Sequence, residues 1–319
     1  VTPSVRRRLL VGGAVACAAA LIAVIKIVIQ VGYPSDFAYF WVGSRALLGG
    51  ESPYAVVQPG GPFHFQSGYL YTLPAALVVA PLALLPVNVA GVLFGALGMG
   101  VLAFAMTREG FERLPVLMSF PALWCLSTGQ WAPWVTAAAL MPGLGVFAAC
   151  KPNLGLAAFA HRPSWPFVVV GLAALLVSLA VMPTWPMEWL AVVRARGASD
   201  YRIPVLQWQV GGPLLLLAAL RWRHEDGRLL LAMACVPQTM LLYDQLALGL
   251  LARTRMQAIV FGLWSFLSVA LLRAAAPLLM PGIDWDDRAR TFSLFARVIV
   301  LAYYLPALAV VLLRRDAVD

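Results

Sequence analysis

The sequence is poor in charge. Of its 319 residues, 12% are Asp, Glu, Lys or Arg, where a soluble domain carries roughly a quarter. Lysine is nearly absent: Lys26 and Lys151 are the two, and arginine supplies the remaining positive charge. There are three histidines (His64, His161, His224) and four cysteines (Cys17, Cys125, Cys150, Cys235). None of them has the spacing of a zinc site. The cysteines lie in or beside apolar runs, away from any evident external loop that a disulfide could staple, and read as small apolar residues. No internal repeat, low-complexity tail or period-2 alternation of barrel strands is visible. The sequence calls for no metal and no cofactor.

What fills the space is apolar: 62% of residues are hydrophobic, and the mean hydropathy is +0.84. A water-shielded core does not require that much. A lipid-facing surface does, since one transmembrane helix takes about 20 apolar residues. The net charge of +9 sits in short arginine clusters at the ends of apolar runs: Arg6 to Arg8, Arg221 to Arg228, Arg253 with Arg255, and Arg314-Arg315. That is the pattern of the positive-inside rule, not of a nucleic-acid-binding stripe. The reading is an all-α, polytopic transmembrane bundle, one domain over residues 1–319. Candidate spans are about 9–31, 70–86, 88–107, 114–128, 131–150, 165–182, 207–222, 229–251, 256–276 and 291–313, nine to eleven in all. The first reads as an uncleaved span rather than a signal peptide, because its apolar run continues to Val31.

Arg6 to Arg8 put the N-terminus in the cytoplasm, which makes 32–69 the first external loop. Segments 183–206 and 277–290 are further loops, with interfacial tryptophans. Asp284, Asp286 and Asp287 read as a solvated acidic loop rather than a cation site. Within the first loop, Asp36 to Leu48 form one broad apolar face, capped by Ser35 or Asp36 and ended by Gly49-Gly50. An interfacial amphipathic helix fits. Asp36 alone has two compatible readings, an N-cap and a general base at the mouth of a membrane cavity.

Several stretches together resemble a known family. Ser35 to Phe40, Arg45 to Gly50 and Ser52-Pro53-Tyr54 are similar to the first external loop of polyprenol-phosphate-mannose-dependent mannosyltransferases, glycosyltransferase family 87. Tyr69 to Pro74, Ala80 to Pro86, Gly129-Gln130, Lys151-Pro152-Asn153, Pro237 and Tyr243-Asp244 follow in the family's order. The chain departs in carrying Leu73 where a second proline is usual, and in being short. The resemblance implies a GT-C fold in a cytoplasmic (inner) membrane with its site facing outward. It implies an inverting transfer of a sugar, mannose above all, from a polyprenyl-phosphate donor to an extracytoplasmic glycan or glycolipid acceptor, with Asp36 as base.

That chemistry needs a carboxylate to take the acceptor proton and cationic groups for the departing lipid phosphate. Arg45, Lys151 and Arg202 are the phosphate candidates, guanidinium suiting phosphate through its planar fork. Lys151 reads equally as a snorkelling lysine, and Lys26 chiefly as one. Asp244, inside an apolar run, lines a cavity or pairs with an arginine. Gln130 binds sugar hydroxyls or another helix. His64, Tyr54 and Tyr71 are sugar-contact candidates whose plain alternatives are loop and anchor roles. A transporter or flippase of lipid-linked sugars is the alternative to an enzyme.

Overall fold

The computed structural model describes residues 3–30, 36–61, 63–195, 203–238, 242–279 and 288–314. The helices are α1 (Val5–Gln30), α2 (Phe37–Leu48), α3 (Pro53–Val56), α4 (Leu73–Val79) and α5 (Val87–Met106). Then come α6 (Phe120–Thr128), α7 (Ala132–Leu140), α8 (Val146–Cys150), α9 (Pro152–His161) and α10 (Trp165–Val181). The last are α11 (Trp185–Ala195), α12 (Glu225–Cys235), α13 (Arg255–Leu279), α14 (Arg288–Ile299) and α15 (Leu305–Leu313). Pairing of extended backbone among the described residues is limited to the isolated bridges Gly60–Phe65 and Pro204–Pro237. The described residues are all-helical between their loops.

Four stretches are long and apolar enough to cross a membrane: Val5–Ile29, Val87–Glu109, Arg255–Leu278 and Leu294–Leu313. A fifth arises if α10 and α11, bent by 98° between them, count as one broken span. This is the make-up of a multi-pass membrane protein, but it falls short of nine to eleven spans of that length among the described residues. Proline and glycine explain the difference, because each interrupts an apolar run that composition alone joins. Pro81 divides 70–86, Pro142 and Gly145 divide 131–150, and Pro237 ends α12 inside 229–251. Residues 207–222 form a 3-10 helix, Gly212–Arg221, that starts from Gly211 at φ +82°.

The chain's contacts form two compact units. The first holds Val1–Glu109, Trp124–Gly155 and Ser164–Asp200; the second holds Gly110–Leu123, Leu156–Pro163 and Tyr201–Asp319. In the first, α1 lies against α5 through small residues. A Cβ on Gly12 would stand 3.0 Å from the Gly100 carbonyl oxygen, and one on Gly100 would stand 2.9 Å from the Ala16 Cβ. Helices without a hydrophobic drive between them associate by this kind of close backbone approach. The α1–α5 pair runs antiparallel, as the Arg8 Nη2 hydrogen bond to the Phe104 carbonyl (3.1 Å) shows.

The first-loop helix α2 forms as its pattern dictates. Phe37, Phe40 and Ser44 recur on one buried face, and the Gly49 N–H closes the last turn onto the Arg45 carbonyl at 3.0 Å. Gly50 follows at φ +78°, a conformation glycine reaches without strain. Helix α11 is amphipathic and packs Trp185, Trp189 and Val192 on Tyr54, Tyr69 and Leu73 of the first-loop cluster. Trp189 Nε1 donates to the Leu70 carbonyl at 3.0 Å. The bend that brings α11 there falls at Pro183, which cannot continue α10.

In the second unit, α12 carries Glu225 and Asp226 in its first turn. Asp226, 2% exposed, accepts from Arg253 Nη2 at 2.9 Å and pairs with Arg314. Glu225 holds Arg162 at 2.6 Å. Arg253 and Arg314 belong to the clusters that the sequence presents as topology signals. Here they also neutralise two carboxylates that are expensive to bury alone.

Candidate functional site

Asp36 immediately precedes α2, where a capping carboxylate would accept from the first-turn N–H groups. It does not do so: its backbone is helical (φ −85°, ψ −26°) and its side chain makes no capping hydrogen bond. The carboxylate instead accepts from Gln130 Nε2 across 94 residues of sequence. The Asp36 N–H donates to the Thr128 carbonyl at 3.1 Å, which ties the start of α2 to the end of α6. Gly129, at φ +72°, makes the turn that carries the chain from α6 to Gln130. Lys26, in the last turns of α1, donates from Nζ to the Ser127 carbonyl and lies within electrostatic reach of Asp36. Lys26 is therefore turned inward to this corner and is not merely snorkelling.

Gln130 is 2% exposed, and its Oε1 accepts no hydrogen bond from the described residues. Its amide thus holds Asp36 with one end and offers an acceptor with the other. The neighbouring Trp131 and Trp134 indole N–H groups are likewise buried without acceptors among the described residues. Phe40, Phe94 and Trp131 pack here with ring centroids 4.9 to 5.8 Å apart. The corner combines a carboxylate, an amide and an ammonium beside packed aromatic rings.

The corner and the arginines Arg8 and Arg108 occupy opposite ends of α1 and its partner helices. Arg8 caps the Phe104 carbonyl at the C-terminal end of α5, and Arg108 Nη1 donates to the Leu140 carbonyl at the C-terminal end of α7, both at 3.1 Å. Lys26 and Asp36 lie at the other end of α1. With 26 residues at 1.5 Å rise, α1 is about 39 Å long, enough to cross a hydrocarbon core of about 30 Å.

The other sequence candidates sit on other elements. Arg45 is exposed; its guanidinium lies 4.9 Å from the Trp41 ring centroid, with Nη1 3.5 Å from the Ala83 carbonyl oxygen. Tyr54 is buried and donates to the Tyr71 carbonyl at 3.1 Å. Burial and the nearby Glu188 carboxylate raise its phenol pKa. Tyr71 meets Phe40 edge-on at 4.5 Å. Tyr54 and Tyr71 thus build the floor of the first loop. His64 sits exposed at φ +50° in the tight Gly60–Phe65 turn. Lys151 is 7% exposed, at the break between α8 and α9. Asp244 is fully buried in the 3-10 helix Tyr243–Leu251 of the second unit. Arg202, Asp284, Asp286 and Asp287 lie outside the described residues. Among the described residues, no group of three or more His, Cys, Asp or Glu is placed to hold a metal ion.

Sequence reasoning named Asp36 and Gln130 separately but missed their pairing, and it missed Glu188. That carboxylate, on α11, accepts from Ser52 Oγ at 2.5 Å and from Thr184 Oγ1 at 2.7 Å, binding α11 to the first loop. The sequence signal was the Ser52-Pro53 helix start, where Ser52 already caps Tyr54 at 3.2 Å. Comparison with known protein families, curated proteins and solved structures finds no match for this chain.

Proposed function

We propose that this protein is a membrane glycosyltransferase of GT-C type, which moves a sugar, mannose above all, from a polyprenyl-phosphate donor to a glycan or glycolipid acceptor. The observation that carries the reading is the Asp36 carboxylate. It is released from helix capping, held by the Gln130 amide and set at the end of α1 away from Arg8 and Arg108. By the positive-inside rule the arginine end is cytoplasmic and the Asp36 end external, where lipid-linked sugars act as donors in place of nucleotide sugars. The resemblance of the first-loop sequence to the mannosyltransferase family supports the same reading.

In the mechanism this implies, Asp36 takes the proton of the acceptor hydroxyl as its oxygen attacks the anomeric carbon. The bond to the lipid phosphate breaks on the opposite face, and the configuration inverts. Gln130 holds the carboxylate in aim through its N–H, while its free Oε1 receives a sugar hydroxyl. Lys26 offers positive charge beside the site, in the role the sequence assigned to Arg45, Lys151 and Arg202. The donor's lipid stays in the bilayer throughout.

The test is to incubate the purified protein with radiolabelled polyprenyl-phosphate mannose and a membrane extract. Label in a water-soluble glycan or a new glycolipid supports the transferase. Labelled donor that crosses a vesicle bilayer unchanged supports a flippase instead, the second reading, which the broken α10–α11 pair favours.

A further inference from the structure

The second unit holds an apolar groove of about 350 Å³ between α13, the 3-10 helix Tyr243–Leu251 and α15. Met256, Val260 and Trp264 form one wall, and Ala302, Pro306 and Val310 the other. The groove follows from a defect in the last helix. Pro306 has no N–H to give the Ala302 carbonyl four residues before it. The backbone widens into a π-helical turn over Val300–Tyr304, and Trp264 Nε1 donates to the orphaned carbonyl at 2.6 Å. The widened turn and the small side chains of Ala302 and Ala307 leave the space open.

One end of the groove is positively charged. Leu251 and Ala252 line it, and Arg253 and Arg255 are the next charged residues along the chain. Arg314 donates from Nη2 to the Leu251 carbonyl at 2.8 Å. Arg162, Arg253 and Arg314 gather around the carboxylates of Glu225 and Asp226, and Arg255 adds a fourth guanidinium to these two acids among the described residues. The far end, at Trp264 and Ala302, is two turns along α13. An apolar slot with a guanidinium-rich mouth complements a molecule with a hydrocarbon tail and an anionic head.

We propose that this groove is a binding site for an anionic phospholipid of the bilayer. One acyl chain lies along Val260 and Pro306, and the phosphate sits against Arg255 and Arg253. Zwitterionic lipid fills the same slot without the charge pairing, so selectivity belongs to the head group. The inference does not depend on the transferase reading, since it concerns a different unit and needs no turnover.

The test is native mass spectrometry of the full chain, delipidated and then titrated with phosphatidylglycerol or phosphatidylcholine. Phosphatidylglycerol should be retained preferentially. Arg255→Gln should lower that retention about fivefold, the effect of one arginine near an anionic head group, and leave phosphatidylcholine unchanged. Ala307→Phe fills the slot and should remove retention of both. Arg255 is exposed on the first turn of α13, so its variant decides the question even if Ala307→Phe fails to fold. Equal retention of the two lipids, or retention indifferent to Arg255→Gln, overturns the proposal. Displacement of phosphatidylglycerol by equimolar polyprenyl phosphate overturns it too, and assigns the groove to an isoprenoid lipid.

Discussion

A carboxylate that begins a helix usually bonds the first-turn N–H groups; Asp36 bonds Gln130 instead. The choice matters because a capping carboxylate is committed to the first turn of its own helix, while Asp36 is turned to the Gln130 amide at the corner beside Lys26. Gln130→Leu should therefore lower sugar transfer about 10- to 100-fold, the worth of one hydrogen bond to a charged group, with insertion unchanged; transfer by the purified variant checks this. His161 supplies a second prediction. It is fully buried and its Nε2 has no partner among the described residues, and burial pushes its imidazole down to about 4. The unfolded chain binds this proton near pH 6.5 and the folded chain only near pH 4. Stability is thus complete above pH 6.5 and falls as the pH drops toward 4, by up to about 1.4 kcal/mol per pH unit. Thermal unfolding in detergent at pH 7 and pH 5 should show the loss, and His161→Leu should reduce the pH dependence. Residue type and position made Asp36 and Gln130 legible as candidates. Their pairing was not legible, because a contact across 94 residues leaves no periodic trace in one sequence.

At the scale of elements, the first-loop helix was readable to within a residue, since its apolar face and its Gly49-Gly50 stop are local signals. The number of spans was not. Apolar runs of similar composition became one long helix at Val87–Met106 but two short ones at 131–150. The difference lies in single residues such as Pro142 and Gly145, which a window average dilutes. The π-helical turn at Val300–Tyr304 is a further case: Pro306 is visible in the sequence, but the tryptophan that answers it is 42 residues away. Trp264→Phe keeps the ring area and leaves the Ala302 carbonyl without its donor. It should destabilise the fold by about 1–3 kcal/mol, the penalty for an unsatisfied polar group, read as a lowered unfolding temperature in detergent. An unchanged temperature would mean that the turn does not rely on that hydrogen bond.

Across the whole molecule, a scarcity of charge foretold the membrane and the arginine clusters foretold a polarity. In the first unit Arg8 and Arg108 cap helix ends at one side and the Asp36 corner lies at the other. The α1–α5 contact that sets this separation relies on glycine. Gly100→Leu would drive a side chain into Ala16 and the Gly12 carbonyl, both 2.9 Å from the new Cβ. It should lower the yield of folded protein and the unfolding temperature, and activity with them, whereas Gly13→Leu meets open space and should be neutral; gel filtration and thermal unfolding distinguish the two. The division into two units was not legible, since their segments interleave along the chain and no shift in composition marks the joins.

The most direct trial of the account is sugar transfer from polyprenyl-phosphate mannose by purified Asp36→Asn. The substitution keeps the shape and removes the base. The account predicts that transfer falls by about 10²- to 10⁴-fold, the usual contribution of a general base, while donor binding and thermal stability stay close to those of the parent. Transfer at the parental rate by the Asn variant would contradict it.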